Sequence, residues 1–487
     1  MSRLVVLGFL VLIWELSLSQ TTVTIDVDPI GDDALELGCS LREAISLANA
    51  GLTEGLDCSS VLTGTGFPLS YEFNLPEMRY QLLGDVASGE AGGDLDVDAE
   101  ISVQGAGSDR TVIEGNELDR VLHLTTFNSS VTLRDLQITG GAVRGDTNGG
   151  GILVEGGALD VERVVFSDNQ AIGEIGQSAA DGGGIASVGG RLRIGPATVF
   201  EDNRATGLGG AVFSDSVMMV DGAVFERNSA SDGGAVFALT RGAIVTIENC
   251  LVRGNTALSR GGGMRLQGEI AGVVAVEKCS IVENSAFSGG GIFGAGVDLA
   301  NSTIAANQAE RTAGGIRLNQ SRLTGVTIAG NVAQLGVGGL SVESGPFVLT
   351  NSIVADNQDA TGANPDCEGN IQPQGVNLIS RNDGCSVVFP GGLPNANGDL
   401  VGTTILPLDP GLAPLAGTPP VLLPGAGSIV VDAVGVGLCT YAAASNNGLF
   451  SDGDPVQFDQ RGMPRDSLCD IGAIESDELF TNGFEGN

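Results

Sequence analysis

The segment FEDNRATGLGGAVF (Phe200–Phe213) is followed, after eleven residues, by FERNSASDGGAVF (Phe225–Phe237), so one unit is written twice with Asn203 and Asn228 25 residues apart. The same Asn recurs as Asn169, Asn203, Asn228, Asn255, Asn284, Asn307, Asn331 and Asn357, in steps of 23 to 34 residues. A recurring period of this length, with strand-like alternation and a glycine cluster in each period, predicts a solenoid.

Columns read off this alignment assign the faces. Three positions before each Asn stand Phe166, Phe200, Phe225, Val252, Ile281, Ile304, Ile328 and Val354, all large and apolar. Five before it are Val164, Thr198, Ala223, Cys250, Cys279, Ser302, Val326 and Ser352, mostly small. Both columns share one strand face and should point inward, while the residue just before the Asn should face water. A buried amide without partners costs about 1–3 kcal/mol, so the asparagines are expected to stack as a ladder, each donating to and accepting from its neighbours. Asn also tolerates the left-handed backbone of a sharp turn. The glycine runs at 149–151, 182–184, 261–263 and 289–291 mark the next turn and do not form a phosphate loop, since no helix follows. Each coil of about 25 residues should hold two or three short parallel strands. This organisation resembles the right-handed parallel β-helix of the pectate-lyase type, and the FxxN and GGA(I/V) pairs are similar to the repeats of chlamydial polymorphic outer membrane proteins. That family carries a translocator barrel, whose series of ten-residue alternating strands is not found in the roughly 100 residues after Cys385.

The 23 basic and 59 acidic residues give a net charge of −36, which argues against nucleic acid as a partner. Residues 1–19 read as a signal peptide, with Arg3 ahead of an apolar run too short to span a bilayer; no second run of spanning length appears, so the mature chain is expected to be exported without a transmembrane segment. Eight cysteines in an exported chain suggest disulfides. Cys39 with Cys58, Cys367 with Cys385 and Cys439 with Cys469 each flank a non-repetitive segment, where loop closure stabilises most. Cys250 and Cys279 share one column in adjacent coils, where a bridge and two buried thiols both fit.

Before the repeats, TTVTIDVD (21–28) alternates as a strand, and CSLREAISLANAG (39–51) reads as a helix. Ser40 and Glu43 form a capping box, Leu41, Ala44, Ile45 and Ala48 a stripe, and Gly51 a stop, giving a plug for an otherwise open solenoid end. CSLREAI resembles the signature of the bacterial CSLREA domain, which implies an exported β-helix protein. After the repeats, GDLVGT, LLPGAGSIVVDA and DQRGMPRDSLCDIGAIE resemble the choice-of-anchor Q module that ends such proteins, although LLPGAGSIVVDA departs from its usual form. The closing SDELFTNGFEGN is similar to short tails on exported gammaproteobacterial proteins and implies a sorting role. The expected division is therefore signal peptide (1–19), N-terminal cap (20–92), β-helix (93–385), C-terminal cap (386–475) and tail (476–487).

Candidate chemistry is sparse. Asp94, Asp96 and Asp98 project from one strand face; calcium would favour them if backbone carbonyls completed the shell, whereas a solvated strand face is the plainer account. No other cofactor is implied. The one histidine, His123, reads as a packed strand residue, and the one lysine, Lys278, as an outward neighbour of Cys279. Asp146, Asp181 and Asp232 precede glycine runs, but other coils hold Leu208, Arg260 or Ser288 near there, so no acidic column persists and no catalytic residue is assigned. One column two residues past the glycine turn runs Phe213, Phe237, Arg265, Phe293, Arg317, while Val212, Val236, Met264, Ile292 and Ile316 beside it point inward. An outward stripe of this kind can grip a glycan or a cell-surface protein, or can serve as a stabilising external stack. The functional expectation is a secreted or surface-attached, non-catalytic binding protein. The alternative implied by the fold resemblance is a polysaccharide lyase or hydrolase.

Overall fold

In a computed structural model the chain forms an all-β, right-handed parallel β-helix of about 11 turns. The structure describes residues 21–476 except 30–37, 55–57, 65–68, 84–92, 146, 175–178, 269–271, 364, 426, 442–452 and 466–467. The expected signal peptide, nearly all of the tail and Asp146 lie outside the described residues.

From Arg191 onward each repeat coil has four strands rather than the two or three expected, while the earlier coils have three. In the coil after Phe213 they are Met218–Asp221, Val224–Glu226, Ser229–Asp232 and Val236–Leu239, here called walls one to four. Single left-handed residues at the corners account for the extra break. In the early coils walls one and two are one ten-residue strand, Ser130–Thr139 or Ala158–Ser167, bent at Asp135 or Arg163 with φ of 55°. Ala197, Gly222, Asn249, Lys278, Asn301, Gly325 and Asn351 repeat that bend, and in most of these coils it interrupts the ladder. The second corner corrects the sequence reading: the left-handed residue is the one before the ladder Asn, such as Asp202 (φ 57°) or Arg227 (φ 56°). The third is the glycine turn. Gly233 is left-handed at φ 66°, and a Cβ on Gly234 would collide with the Gly262 carbonyl of the next coil.

The inward columns fill the main core. All eight residues three before the Asn, from Phe166 to Val354, are fully buried, and the rings of Phe166, Phe200 and Phe225 stack at centroid separations of 4.7 and 5.1 Å. Such pairs contribute about 0.5–1.5 kcal/mol each beyond burial.

Helix α1 (Leu41–Asn49) carries the Ser40–Glu43 capping box, and buries Leu41, Ala44, Ile45, Leu47 and Ala48 in the core. Gly51 ends it with φ of 66°; Gly51 N donates to the Ala48 carbonyl and Leu52 N to the Leu47 carbonyl, closing a Schellman turn. Its polar face covers the first wall-four strand. Asn49 Nδ2 donates to the Asp96 carbonyl at 2.8 Å while its Oδ1 accepts from Asp98 N at 2.9 Å. The edge that would otherwise recruit another strand is thereby satisfied.

The C-terminal region divides differently from the single terminal cap expected over 386–475. Leu400–Val401 pairs with Leu378–Ile379, and Phe389 is buried in the main core, so this stretch closes the solenoid end. The following chain turns back along the outside of wall two as a strap. Ser280 Oγ donates to the Pro420 carbonyl at 2.7 Å, Gln460 Nε2 to Ser280 Oγ at 2.8 Å, Ala473 N to Thr327 Oγ1 at 3.0 Å, and Gly472 N to the Asn351 carbonyl at 2.9 Å. Ile353, Ala355 and Leu378 form a second apolar cluster with Val430, Val434, Cys469 and Ile471 of the strap.

Candidate functional sites

The wall-four column splits into two environments. Val212, Val236, Met264, Ile292 and Ile316 point into the core, as alternation requires, and the five stripe residues lie on the opposite face. Phe213 and Phe237 were expected to be exposed, and the structure corrects this: they are 8% and 5% exposed, stacked at 5.8 Å in a cluster with Leu153, Ala186, Leu208 and Leu239. Leu208, from the neighbouring corner, and Leu239, from the same strand, provide the apolar cover. Higher up the column the cover is replaced by charge.

Three guanidiniums surround the ring of Phe293, those of Arg260 and Arg317 at 5.5 Å and that of Arg265 at 5.8 Å from its centroid. Arg265 also lies 5.2 Å from the ring of Phe237, so it bridges both environments. Buried Asp232 is shared, held bidentately by Arg260 at 3.1 and 3.0 Å and by Arg265. Arg317 donates to Ser288 Oγ at 2.9 Å and pairs with Glu343, yet its Nε is buried without a partner. Burial depresses the Arg265 guanidinium, with Arg260 adding and Asp232 opposing; burial also depresses Arg317, with Arg311 and Arg260 adding against Glu368. Exposed Leu258 (80%) and Phe287 (42%) extend the patch across the glycine corner. Arg260, Leu258 and Phe287 escape a reading confined to one column, because the platform spans two walls.

The predicted carboxylate trio does not assemble as a set. Asp94 and Asp96 come together with His123, whereas Asp98 turns to Thr125. His123 is not simply packed: Nδ1 lies 3.1 Å from Asp96 and Nε2 3.2 Å from Glu155. Asp94 is held by Arg120 at 2.9 Å. Burial raises the Asp96 carboxyl, Asp94 adds to the rise, and His123 and Arg120 oppose it. One His nitrogen and two carboxylates could hold a metal ion, with the Arg120 cation as their competitor.

The ladder asparagines are buried and linked coil to coil. Asn203 Nδ2 and N both donate to Asn228 Oδ1 at 3.0 Å, and Nδ2 also donates to the Phe166 carbonyl at 2.9 Å. Equivalent links join Asn169 to Asn203 and run from Asn228 through Asn255, Asn284, Asn307 and Asn331 to Asn357. The last rung accepts on a carboxylate instead: Asn357 donates to Asp366 Oδ1 at 3.0 Å, and burial pushes the Asp366 carboxyl up to about 7 against the hydrogen bonds from Asn357 and Arg381. All eight cysteines pair, including Cys250 with Cys279 at a Cα separation of 4.5 Å. This resolves the alternative left open for that pair.

The closing motif 459–475 is an internal knot. Buried Asp459 accepts from Arg461 N, Met463 N and Glu475 N at 2.8, 2.9 and 3.1 Å. Buried Arg465 spans Glu475 at 3.1 Å and the Gly472 carbonyl at 2.7 Å. Where the strap crosses the wall-one to wall-two corner it encloses two clefts of about 500 Å³ that share Lys278. A sequence signal for the strap existed in wall two, whose outward Glu201, Glu226 and Arg253 give way to Val282, Ala305, Ala329 and Ala355.

Residues 197–215 match the family model of the Chlamydia polymorphic membrane protein repeat, a segment that overlaps the first half of the stretch defining the coil. No curated protein matches the sequence. Among solved structures, the A-module of the Azotobacter vinelandii mannuronan C-5 epimerase AlgE6 aligns over 69% of this chain and 86% of its own, at 18% identity and a TM-score of 0.38. Among the described residues no helix is long and apolar enough to cross a membrane. The chain is thus a disulfide-bearing β-helix with one segment similar to the polymorphic membrane protein repeat.

Proposed function

We propose that the protein is an exported, surface-displayed β-helix that binds a sparsely charged acidic glycan without catalysis. The observation that carries this reading is the convergence of Arg260, Arg265 and Arg317 on the ring of Phe293, a local concentration of cations on a chain of net charge −36. An aromatic face stacks on a sugar ring while neighbouring guanidiniums take a carboxylate in bidentate fashion, and the overall negative field disfavours dense polyanions. The signal-like N-terminus, the polymorphic membrane protein repeat and four disulfides support export and display. The CSLREA-like plug and the anchor-Q-like strap fit the same reading.

A binding screen of the mature protein against acidic and neutral glycans and intact cells is the test. Binding of a uronate-bearing oligosaccharide should drop at least tenfold in the Arg260→Ser, Phe293→Ser, Arg317→Ser triple variant. Unchanged binding would remove the platform from the account. Calcium-dependent release of unsaturated sugars from the same panel would replace it with the lyase reading.

A further inference from the structure

Lys278 is the chain's only lysine, and it occupies a left-handed corner (φ 55°) where the adjacent coils have Asn249 and Asn301. A lysine in that conformation is disfavoured relative to Gly or Asn. Its position gives the corner a chemistry the others lack. The ammonium lies 5.7 Å from the ring centroid of Phe458 on the strap, and among the described residues no carboxylate is within ion-pair distance of it.

The two clefts meeting at Lys278 differ in charge. Glu277 and Asp454 line one of them. Among the described residues the other has no carboxylate in its wall, on a protein with 59 acidic residues; Lys278 and Arg461 supply its cations, Asn249 an amide, and Pro419, Val421 and Leu423 an apolar side. Arg461 is already engaged by Asp459 at 3.0 Å, and Asn249 Nδ2 by Asp221 at 2.7 Å. Lys278, which feels the nearby Glu248 carboxylate but forms no ion pair among the described residues, is therefore the available charge. A concave volume of about 500 Å³, mostly apolar with a few convergent polar groups, has the character of a small-molecule site.

We propose that this cleft between strap and solenoid binds a small organic carboxylate with a compact apolar group. Its carboxylate pairs with Lys278, the Asn249 side-chain oxygen accepts a hydrogen bond from any hydroxyl it carries, and its apolar group packs on Pro419, Val421 and Leu423. The site lies at the wall-one to wall-two corner, whereas the Arg260–Phe293 platform is built on walls three and four.

The single lysine makes a direct test available. In the intact protein, an amine-acetylating reagent can modify Lys278 and the α-amino group alone among amines, and mass spectrometry separates the two. With phenylacetate as probe at millimolar concentration, acetylation of Lys278 should slow at least threefold while the α-amine rate stays constant, and phenylacetamide, the neutral isostere, should give no protection. Leu423→Asp, which places a carboxylate in the apolar side, should abolish protection, read as the ratio of Lys278 rates with and without phenylacetate in the variant itself. Equal acetylation rates with phenylacetate and phenylacetamide would overturn the assignment. Protection that survives in Leu423→Asp would also overturn it, since the carboxylate would then be acting on an exposed lysine and not in this cleft.

Discussion

Phe237 and Phe293 stand two coils apart in the same column of wall four, on the same strand face and in register through Arg265. The first is 5% exposed inside an apolar cluster; the second is half-buried under three arginines. The cause lies at the preceding corner. Leu208 stands there in the lower coil, bridged to Asp232 of the next, and above Asp232 the position becomes Arg260. An apolar corner folds over the aromatics and dries them, whereas a charged corner must keep its head groups near water and leaves the ring accessible from the side. Alternation along a strand thus decides which face a side chain takes, and the neighbouring corner decides whether that face is wet.

The largest effect should come from truncating the dry half. Phe237→Ala removes a ring packed between Phe213 and Arg265, and should cost about 3–5 kcal/mol of unfolding free energy in chemical denaturation. Phe293→Ala, in the wet half, should cost roughly 1 kcal/mol and act mainly on glycan binding. Equal losses from the two would erase the distinction between the halves.

Asp232→Asn probes the junction. It withdraws the shared counter-charge from Arg260 and Arg265, and because Asp232 is buried the loss should be about 2–4 kcal/mol. The freed guanidiniums should then bind an acidic oligosaccharide several-fold more tightly by titration calorimetry. A fall in affinity together with stability would mean that Asp232 positions the arginines rather than occupying them.

The coil was legible because it is enforced by repetition: the ladder Asn, the apolar position three before it and the glycine turn recur at each coil, so each reading is checked several times along the chain. The platform was legible only in part. Phe293, Arg265 and Arg317 fall in one column, but Arg260 and Asp232 reach them from the adjoining wall, and contact between walls has no fixed sequence spacing. Burial of Phe213 and Phe237 was hidden for the same reason, since Leu208 covers them from a corner whose occupant changes at every coil. The strap was hidden by distance: Gln460 meets Ser280 across 180 residues, and only the loss of charge from Arg253 to Val282 in wall two hints at a cover.

The smallest predicted effect returns to the corner below the dry half. Asp181 lies in the column that holds Asp232 above, but among the described residues it has no guanidinium partner; its Oδ1 accepts from Leu208 N at 2.7 Å. Burial pushes its carboxyl up to about 6, with that hydrogen bond opposing. A carboxyl whose pKa is higher folded than unfolded binds its proton more tightly in the native state, so its contribution is fully present below about pH 4 and is lost as pH rises through about 6. The native protein should therefore lose on the order of 1 kcal/mol from this group between pH 4.5 and 7.5, allowing for the part of the carboxyl that water still screens. Asp181→Asn should flatten that portion of the profile in paired denaturation curves. Should the variant keep the full slope, the titrating group is elsewhere, and Asp366 at the end of the ladder, pushed up to about 7, is the residue to change next.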